Sequence, residues 1–264
     1  MIGPMDLQLN ERVFIVSGGS RGLGFATAEV LVAEGAKVVL IGRTEATLTA
    51  AAADLGHDNA LPLTGDLTDP DLPGRAVASA AARFGRLDGA MISTGGPPAS
   101  RASDTSDEAW RDAFESVFLP PLRLARTVAD NLAGGDTPQG TRDGSILIVL
   151  STSVYRPLTS LALSNGLRPG LANMVRDLAM DWGTHGVRVN GIAPGRIATD
   201  RVFALDARSG SPEAVRRKRE ARIPLGRYGD PAEFGRMATF LLSPAASYIS
   251  GAIVPVDGGA TYID

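Results

Sequence analysis

The chain has 264 residues, 44% hydrophobic and 21% charged, with a formal net charge of −3 and no cysteine. That length is enough to bury a sizeable core in one large α/β domain, and the missing cysteines exclude disulfides, thiolate catalysis and Cys-based zinc sites. The small net charge gives no reason to expect nucleic acid or an anionic membrane as a partner, no apolar run reaches the length of a membrane span, and the N-terminus lacks signal-peptide regions, so a soluble cytoplasmic protein is expected.

Strand-like and helix-like stretches alternate along the chain. Val13–Val16 reads as a first strand, followed by the turn Ser17-Gly18-Gly19-Ser20-Arg21-Gly22-Leu23-Gly24 and a helical pattern through Ala26, Leu31 and Val32. Gly35 ends that helix, and Lys37–Ile41 follows as a second strand. Ala60–Thr64 and Leu87–Ile92 read as the third and fourth strands, and Asp107–Leu132 as a long helix. Ser145–Leu150 is a strongly apolar fifth strand, Leu171–Trp182 a helix, and Val187–Ile192 a sixth strand. Asp230-Pro231-Ala232-Glu233 is a helix start, with an N-cap, a proline in the first turn and an acid beyond it. Ala252–Val256 makes a seventh strand. Gly134–Gly144 reads as a polar surface loop. The polar stretch 201–227 carries Arg216, Arg217, Lys218 and Arg219, either a solvated helix face or part of a substrate lid. Strands apolar on both faces and separated by helices imply a parallel sheet covered on both sides. The expected fold is a single α/β domain over residues 1–264, Rossmann-like and doubly wound, with about seven strands.

A strand, a glycine turn and a helix in that order make a phosphate site. Glycines let the backbone approach an anion closely, and the helix N-terminus points free N–H groups at it. Gly18, Ser20, Arg21, Gly22, Leu23 and Gly24 are therefore candidate dinucleotide ligands. At the end of the second strand an acid would accept from a ribose 2′-OH and favour NAD(H). The chain instead reads Arg43-Thr44, and Arg21 adds a cation from the glycine turn. Either these are surface arginines or they pair with a 2′-phosphate; the missing acid favours NADP(H) over NAD(H). Asp66, with Leu67, either accepts from the adenine amino group or caps a helix. Thr94 and Gly95 would let the cofactor lie flat against the backbone, and Pro194, Gly195, Ile197 and Thr199 form a turn suited to a carboxamide and a phosphate. His57 and His185 receive no role.

With Gly18, Gly22 and Gly24, Asp66-Leu67, Ser151, Arg188-Val189-Asn190, Pro194-Gly195, the Ile223–Arg227 segment and Val256-Asp257-Gly258-Gly259, the chain resembles the short-chain dehydrogenase/reductase family over nearly its whole length, especially its 3-oxoacyl-carrier-protein reductase-like members. The resemblance implies a nicotinamide cofactor, a small-molecule substrate and a homo-oligomer, tetramer or dimer. It also implies a catalytic Ser, Tyr and Lys with an Asn on an earlier helix. The serine falls on Ser151, but the Tyr-x-x-x-Lys segment falls on Ser164-Asn165-Gly166-Leu167-Arg168, the Asn on Val117 and the turn after the fourth strand on Ser93-Thr94-Gly95-Gly96. A phenol of pKa about 10, lowered by a neighbouring ammonium, protonates an alkoxide near neutrality, whereas an aliphatic hydroxyl is a far weaker acid. Arg168 would stay cationic and hydrogen-bond the nicotinamide ribose, although Pro169 directly after it would kink or start a helix and displace it. Ser151 either binds the substrate oxygen or is a structural strand-end serine. Tyr155 is either an alternative acid or a pocket-wall aromatic. The leading expectation is an NADPH-dependent oxidoreductase with an atypical proton donor. An NADP(H)-binding sensor or scaffold without redox turnover, and a lyase or isomerase on the same fold, stay open as alternatives.

Overall fold

In the computed structural model, which describes residues 5–134, 143–207 and 211–262, the strands form one parallel sheet. The elements are β1 (Val13–Ser17), α1 (Gly22–Ala33), β2 (Lys37–Gly42), α2 (Glu45–Leu55), β3 (Ala60–Thr64), α3 (Leu72–Phe84) and β4 (Gly89–Ile92). They continue through α4 (Asp107–Ala113), α5 (Leu119–Gly134), β5 (Gly144–Val149), α6 (Ala162–Gly183) and β6 (Val187–Pro194). The chain closes with α7 (Asp200–Ala207), α8 (Pro212–Glu220), α9 (Pro231–Leu242) and β7 (Ile253–Val256). The seven strands are ordered β3-β2-β1-β4-β5-β6-β7, with Ile15 in register between Val39 and Ala90.

The period of two along each strand divides the core. Val13, Ile15, Val39, Ile41, Ile146 and Ile148 face α3, α5 and α6, while Phe14, Val16, Val38, Leu40, Leu147 and Val149 face α1, α2 and α9. Strands read as apolar on both faces because both are covered. Winding reverses between β1 and β4, which opens a crevice at their carboxyl ends. There Ser17 Oγ donates to the Ser93 carbonyl at 2.8 Å and accepts the Ser93 N–H at 2.7 Å, joining the two strand ends where the ladder stops.

Two helices depart from the sequence expectation. The run from Asp107 is broken by a π turn at Phe114–Phe118, where the Leu119 N–H bonds back five residues to Phe114. Pro120 and Pro121 supply no N–H to the carbonyls four residues earlier, so the ladder slips by one residue. α6 begins at Ala162, nine residues ahead of Leu171, and runs through Pro169. Its first turns are held by burial of Ala162, Leu163, Ser164 and Arg168 and by Trp110 seated on Gly166. That packing offsets a missing helical hydrogen bond, whose loss costs about 3 kcal/mol in an unsupported helix. The expected surface loop falls mostly on residues 135–142, outside the described residues. Among the described residues no helix is long and apolar enough to cross a membrane.

The Arg188-Val189-Asn190 motif closes the far side of the sheet. Arg188 donates to the carbonyls of Leu241 and Ser243, both at 2.9 Å, placing a cation on the C-terminal end of α9. Asn190, buried, donates to the Ile249 carbonyl at 2.8 Å and accepts the Ala252 N–H at 3.0 Å, fixing the entry to β7. Asp230 and Glu233 form a reciprocal capping box on α9. Asn190→Ala strands both backbone groups and is expected to lower the unfolding free energy by about 2–4 kcal/mol in urea titrations. Asp230→Ala, at an exposed cap, costs about 1 kcal/mol in the same assay.

Candidate active site

The crevice at the strand ends gathers residues from β1, β2, β4, β5, β6 and α6. The glycine turn is shaped by Gly18 and Gly22, whose φ angles of +65° and +60° suit residues without a Cβ. A Cβ on Gly24 would collide with the Gly18 carbonyl, so this glycine permits the close approach of helix to turn. A Cβ on Gly22 would meet Thr199 Cγ2 at 3.7 Å, and one on Gly95 nothing within 4 Å. The turn and α1 N-terminus thus lie beside Thr199 of the Pro194–Thr199 turn, with room left at Gly95, and an exposed helix N-terminus at strand ends is where a dinucleotide pyrophosphate binds.

At the adenosine end, Ser20 lies against Gly42, bringing the glycine turn to the end of β2. Arg21 is exposed at the N-cap of α1, and Thr44 is the N-cap of α2 without spending its side chain on the cap. Arg43 is exposed and lies 3.9 Å from Asp66 Oδ2. An exposed pair of that length is worth at most about 1 kcal/mol and yields readily to a dianionic phosphate. Asp66 caps a turn and not a helix: its Oδ1 accepts from the Thr68 N–H and hydroxyl at 3.0 and 2.9 Å. Those bonds, the backbone one foremost, hold its carboxyl below the usual range. Leu67 packs against the core beneath.

At the ends of β4 and β5 the floor of the crevice is built around Arg168. Despite Pro169, α6 continues through it and carries Arg168, 4% exposed, under the ends of β4 and β5. Its Nη1 donates to the Val149 carbonyl at 2.7 Å, and its Nη2 to Thr94 Oγ1 at 3.1 Å and the Gly95 carbonyl at 3.4 Å. The anticipated displacement of Arg168 by proline does not occur, because the guanidinium is pinned by strand-end carbonyls. Burial, and secondarily the like charge of Arg201, lower its pKa to about 10, so it is cationic at neutral pH.

Ser151, half-buried, caps a short 3₁₀ turn (Thr152–Val154) by accepting the Ser153 N–H at 3.1 Å. That bond occupies an oxygen lone pair and leaves the hydroxyl proton to donate elsewhere. Ser164 is 7% exposed, and its hydroxyl is 3.1 Å from that of Ser153, itself 4% exposed. Ser164 thus forms a buried hydroxyl pair with Ser153. Tyr155 donates to the Ile253 carbonyl at 2.6 Å, which ties its phenol to β7. Val117 is buried in the π turn.

The turn after β6 is held by a cluster that sequence reasoning missed. Gly195 lies so close to Asp257 that a Cβ would clash, and Ala198 bonds the Gly229 carbonyl at 2.8 Å, which aligns Ile197. Arg196 pairs with buried Asp206 of α7 at 2.5 Å, and Asp206 accepts from the Tyr228 hydroxyl at 2.7 Å. Burial and that bond push the Tyr228 phenol up to about 12. Arg216 of α8 stacks over the same ring and pairs with Glu220 at 2.7 Å, so one member of the 216–219 basic run holds the segment together. The expected lid at 201–227 is, in its described part, two short helices anchored on Tyr228. Arg201 at the start of α7 reaches back over Gly96, where a Cβ would collide with its guanidinium. Apart from the local Arg216–Glu220 pair, these contacts join residues 10 to 105 positions apart, so no local motif announced them; the signal was an arginine and an acid on each side of a polar segment.

The family model described as "Enoyl-(Acyl carrier protein) reductase" matches residues 18–261. The galactitol 2-dehydrogenase (L-tagatose-forming) of Cereibacter sphaeroides is 33% identical over 252 residues, 93% of each chain. The cis-4-hydroxycyclohexanecarboxylate dehydrogenase of Sinomonas cyclohexanicum is 32% identical over 96% of this chain and 98% of its own. The crystal structure of L-sorbose reductase from Gluconobacter frateurii, complexed with NADPH and L-sorbose, superimposes with a TM-score of 0.89 at 26% identity, covering 98% of this chain and 100% of that one. With the sheet order, the glycine turn and the strand-end serine in place, the chain belongs to the short-chain dehydrogenase/reductase family.

Proposed function

We propose that this protein is an NADPH-dependent oxidoreductase that interconverts a carbonyl and an alcohol on a small-molecule substrate without a tyrosine as proton donor. The observation that carries the reading is one crevice shared by the glycine turn, the Arg43 corner, Ser151 and Arg168. Its relatives are named dehydrogenases and reductases, one of them complexed with NADPH and L-sorbose, which supports an NAD(P)-dependent oxidoreductase acting on CH–OH and C=O groups. Gly18, Gly22 and the α1 N-terminus would hold the pyrophosphate, and Arg21, Arg43 and Thr44 the 2′-phosphate. Thr94, Gly95, Pro194, Gly195, Ile197 and Thr199 would line the nicotinamide end.

When bound, the nicotinamide supplies or accepts hydride. Ser151 directs its free proton to the substrate oxygen and stabilises charge developing on it. Arg168 places a positive potential beneath the same oxygen and orders Thr94 and Gly95 around the ribose. With Ser164 paired to Ser153 and Val117 offering no amide, the proton comes from a water held by Ser151. A second reading, an NADP(H)-binding sensor without redox turnover, is favoured by that same burial of Ser164 and Val117.

NADPH binding followed by fluorescence, with NADPH consumption read against a carbonyl panel and NADP reduction against the matching alcohols, separates the two. The expected result is turnover; tight binding with neither reaction would establish the sensor. Arg43→Asp is expected to lower the NADPH-to-NADH ratio of kcat/KM by at least about tenfold, equivalent to about 1.4 kcal/mol. An unchanged ratio would remove Arg43 from the phosphate site. Ser151→Ala is expected to reduce kcat by about 10²-fold with the Kd for NADPH little altered, measured in steady-state kinetics and by fluorescence.

A further inference from the structure

The chain leaves the turn after β6 across the crevice. A Cβ on Gly22, at the start of α1, would meet Thr199 Cγ2 at 3.7 Å. A Cβ on Gly96, beyond the end of β4, would collide with the Arg201 guanidinium. Residues 199–201 therefore touch both walls of the place where winding reverses, the β1 side at Gly22 and the β4 side at Gly96. In an open α/β sheet a dinucleotide lies at that reversal. The first turn of α7 is a bar across its path.

What holds the bar down is a charge and not an apolar face. An isolated helix of eight residues is marginal in water, and Asp206 is the buried residue of α7. Its Oδ1 accepts from Arg196 at 2.5 Å and its Oδ2 from the Tyr228 hydroxyl at 2.7 Å. Both partners sit on one platform. Ala198 donates to the Gly229 carbonyl at 2.8 Å, Gly229 donates to the Arg196 carbonyl at 2.9 Å, and the Tyr228 ring lies 5.9 Å from the Arg196 guanidinium. A buried carboxylate offsets its desolvation only while its donors are in place, whereas an apolar anchor loosens by degrees. The attachment of α7 is therefore made or broken in one step.

We infer that Asp206 is the latch of this bar: its bonds to Arg196 and Tyr228 hold α7 across the dinucleotide path, and NADPH enters and leaves the crevice when they break. Asp206 is a positioning residue, acting through α7 on the path of the cofactor. Opening of such covering elements, not chemistry, sets ligand release in many enzymes. The inference rests on the nucleotide-binding part of the reading above and is independent of redox turnover.

The test mixes the full-length protein with NADPH in a stopped-flow fluorimeter, which gives kon, and displaces it with excess NADP, which gives koff. Asp206→Asn is expected to raise both rates at least about tenfold while their ratio, the Kd, changes less than about threefold. Tyr228→Phe removes one of the two partners and is expected to fall between that variant and the wild type. Arg196→Lys keeps the cation and is expected to raise the rates less than Asp206→Asn. Amide exchange over residues 200–207 is expected to rise at least about tenfold more in Asp206→Asn than exchange over β1. Asn190→Ala, destabilised at the entry to β7, is expected to keep wild-type rates. Unchanged rates in Asp206→Asn and Tyr228→Phe overturn the latch, and Tyr228→Phe alone is decisive where Asp206→Asn fails to fold. A faster koff with an unchanged kon also overturns it, since the substitution would then only have weakened the nucleotide site. Absence of NADPH binding to the wild type overturns the latch and the cofactor reading together. Latch kinetics without NADPH oxidation against any carbonyl keep the latch and overturn the oxidoreductase reading. Turnover with rates that the variants leave unchanged does the reverse, so the two failures are distinguishable.

Discussion

A buried cation without a carboxylate partner sets the layout of the crevice. Arg168 ties the end of β5, through the Val149 carbonyl, to the end of β4, through Thr94 and Gly95. Those two strands would otherwise finish with unpaired backbone groups at the mouth of the sheet, where buried polar atoms must find partners. One rigid fork satisfies them and places positive charge at the mouth of the sheet, and the side chain could not be shortened without releasing both strand ends.

The rest of the site is arranged around close backbone approaches. Gly24 lies against Gly18, Gly195 against Asp257, and Gly96 beneath Arg201, each where a Cβ would collide with its neighbour. These contacts bring three turns from distant parts of the chain to one rim. Ser17 and Ser93 then bridge the gap left where β1 and β4 diverge. The crevice exists because the sheet changes winding direction there, and it stays narrow because small residues line it.

Around the proposed proton path the chain carries short side chains. Ser164 and Ser153 close on each other below the surface, and Val117 fills the π turn with an apolar group. Ser151 remains half-buried and oriented by a backbone N–H. An aliphatic hydroxyl stores a proton poorly, which is why water enters the proposed mechanism.

Strand order aside, much of this was legible in the residues themselves. Apolar runs of strand length, the Gly18–Gly24 turn and the Asp230 cap are local patterns, and the structure reproduces each within a residue or two. The absence of an acid after β2 and the presence of Arg43 were equally plain, since composition at a strand end is a local property. Pro169 misled because a proline's local cost is outweighed by burial of Leu163 and Arg168 and by Trp110 on Gly166, none of it visible along the chain. The slip at Phe114–Phe118 was signalled by two adjacent prolines but needed the packed helix to show its form. The neighbours of Ser164, Tyr155 and Arg201 were set by tertiary structure: Ser153, the Ile253 carbonyl and Gly96 reach them from other parts of the chain. The sequence by itself determined a doubly wound sheet with a glycine turn between strand and helix, because short-range sterics and periodicity set those; the fold decided which side chains meet one another at the strand ends, because only long-range packing brings them to one place.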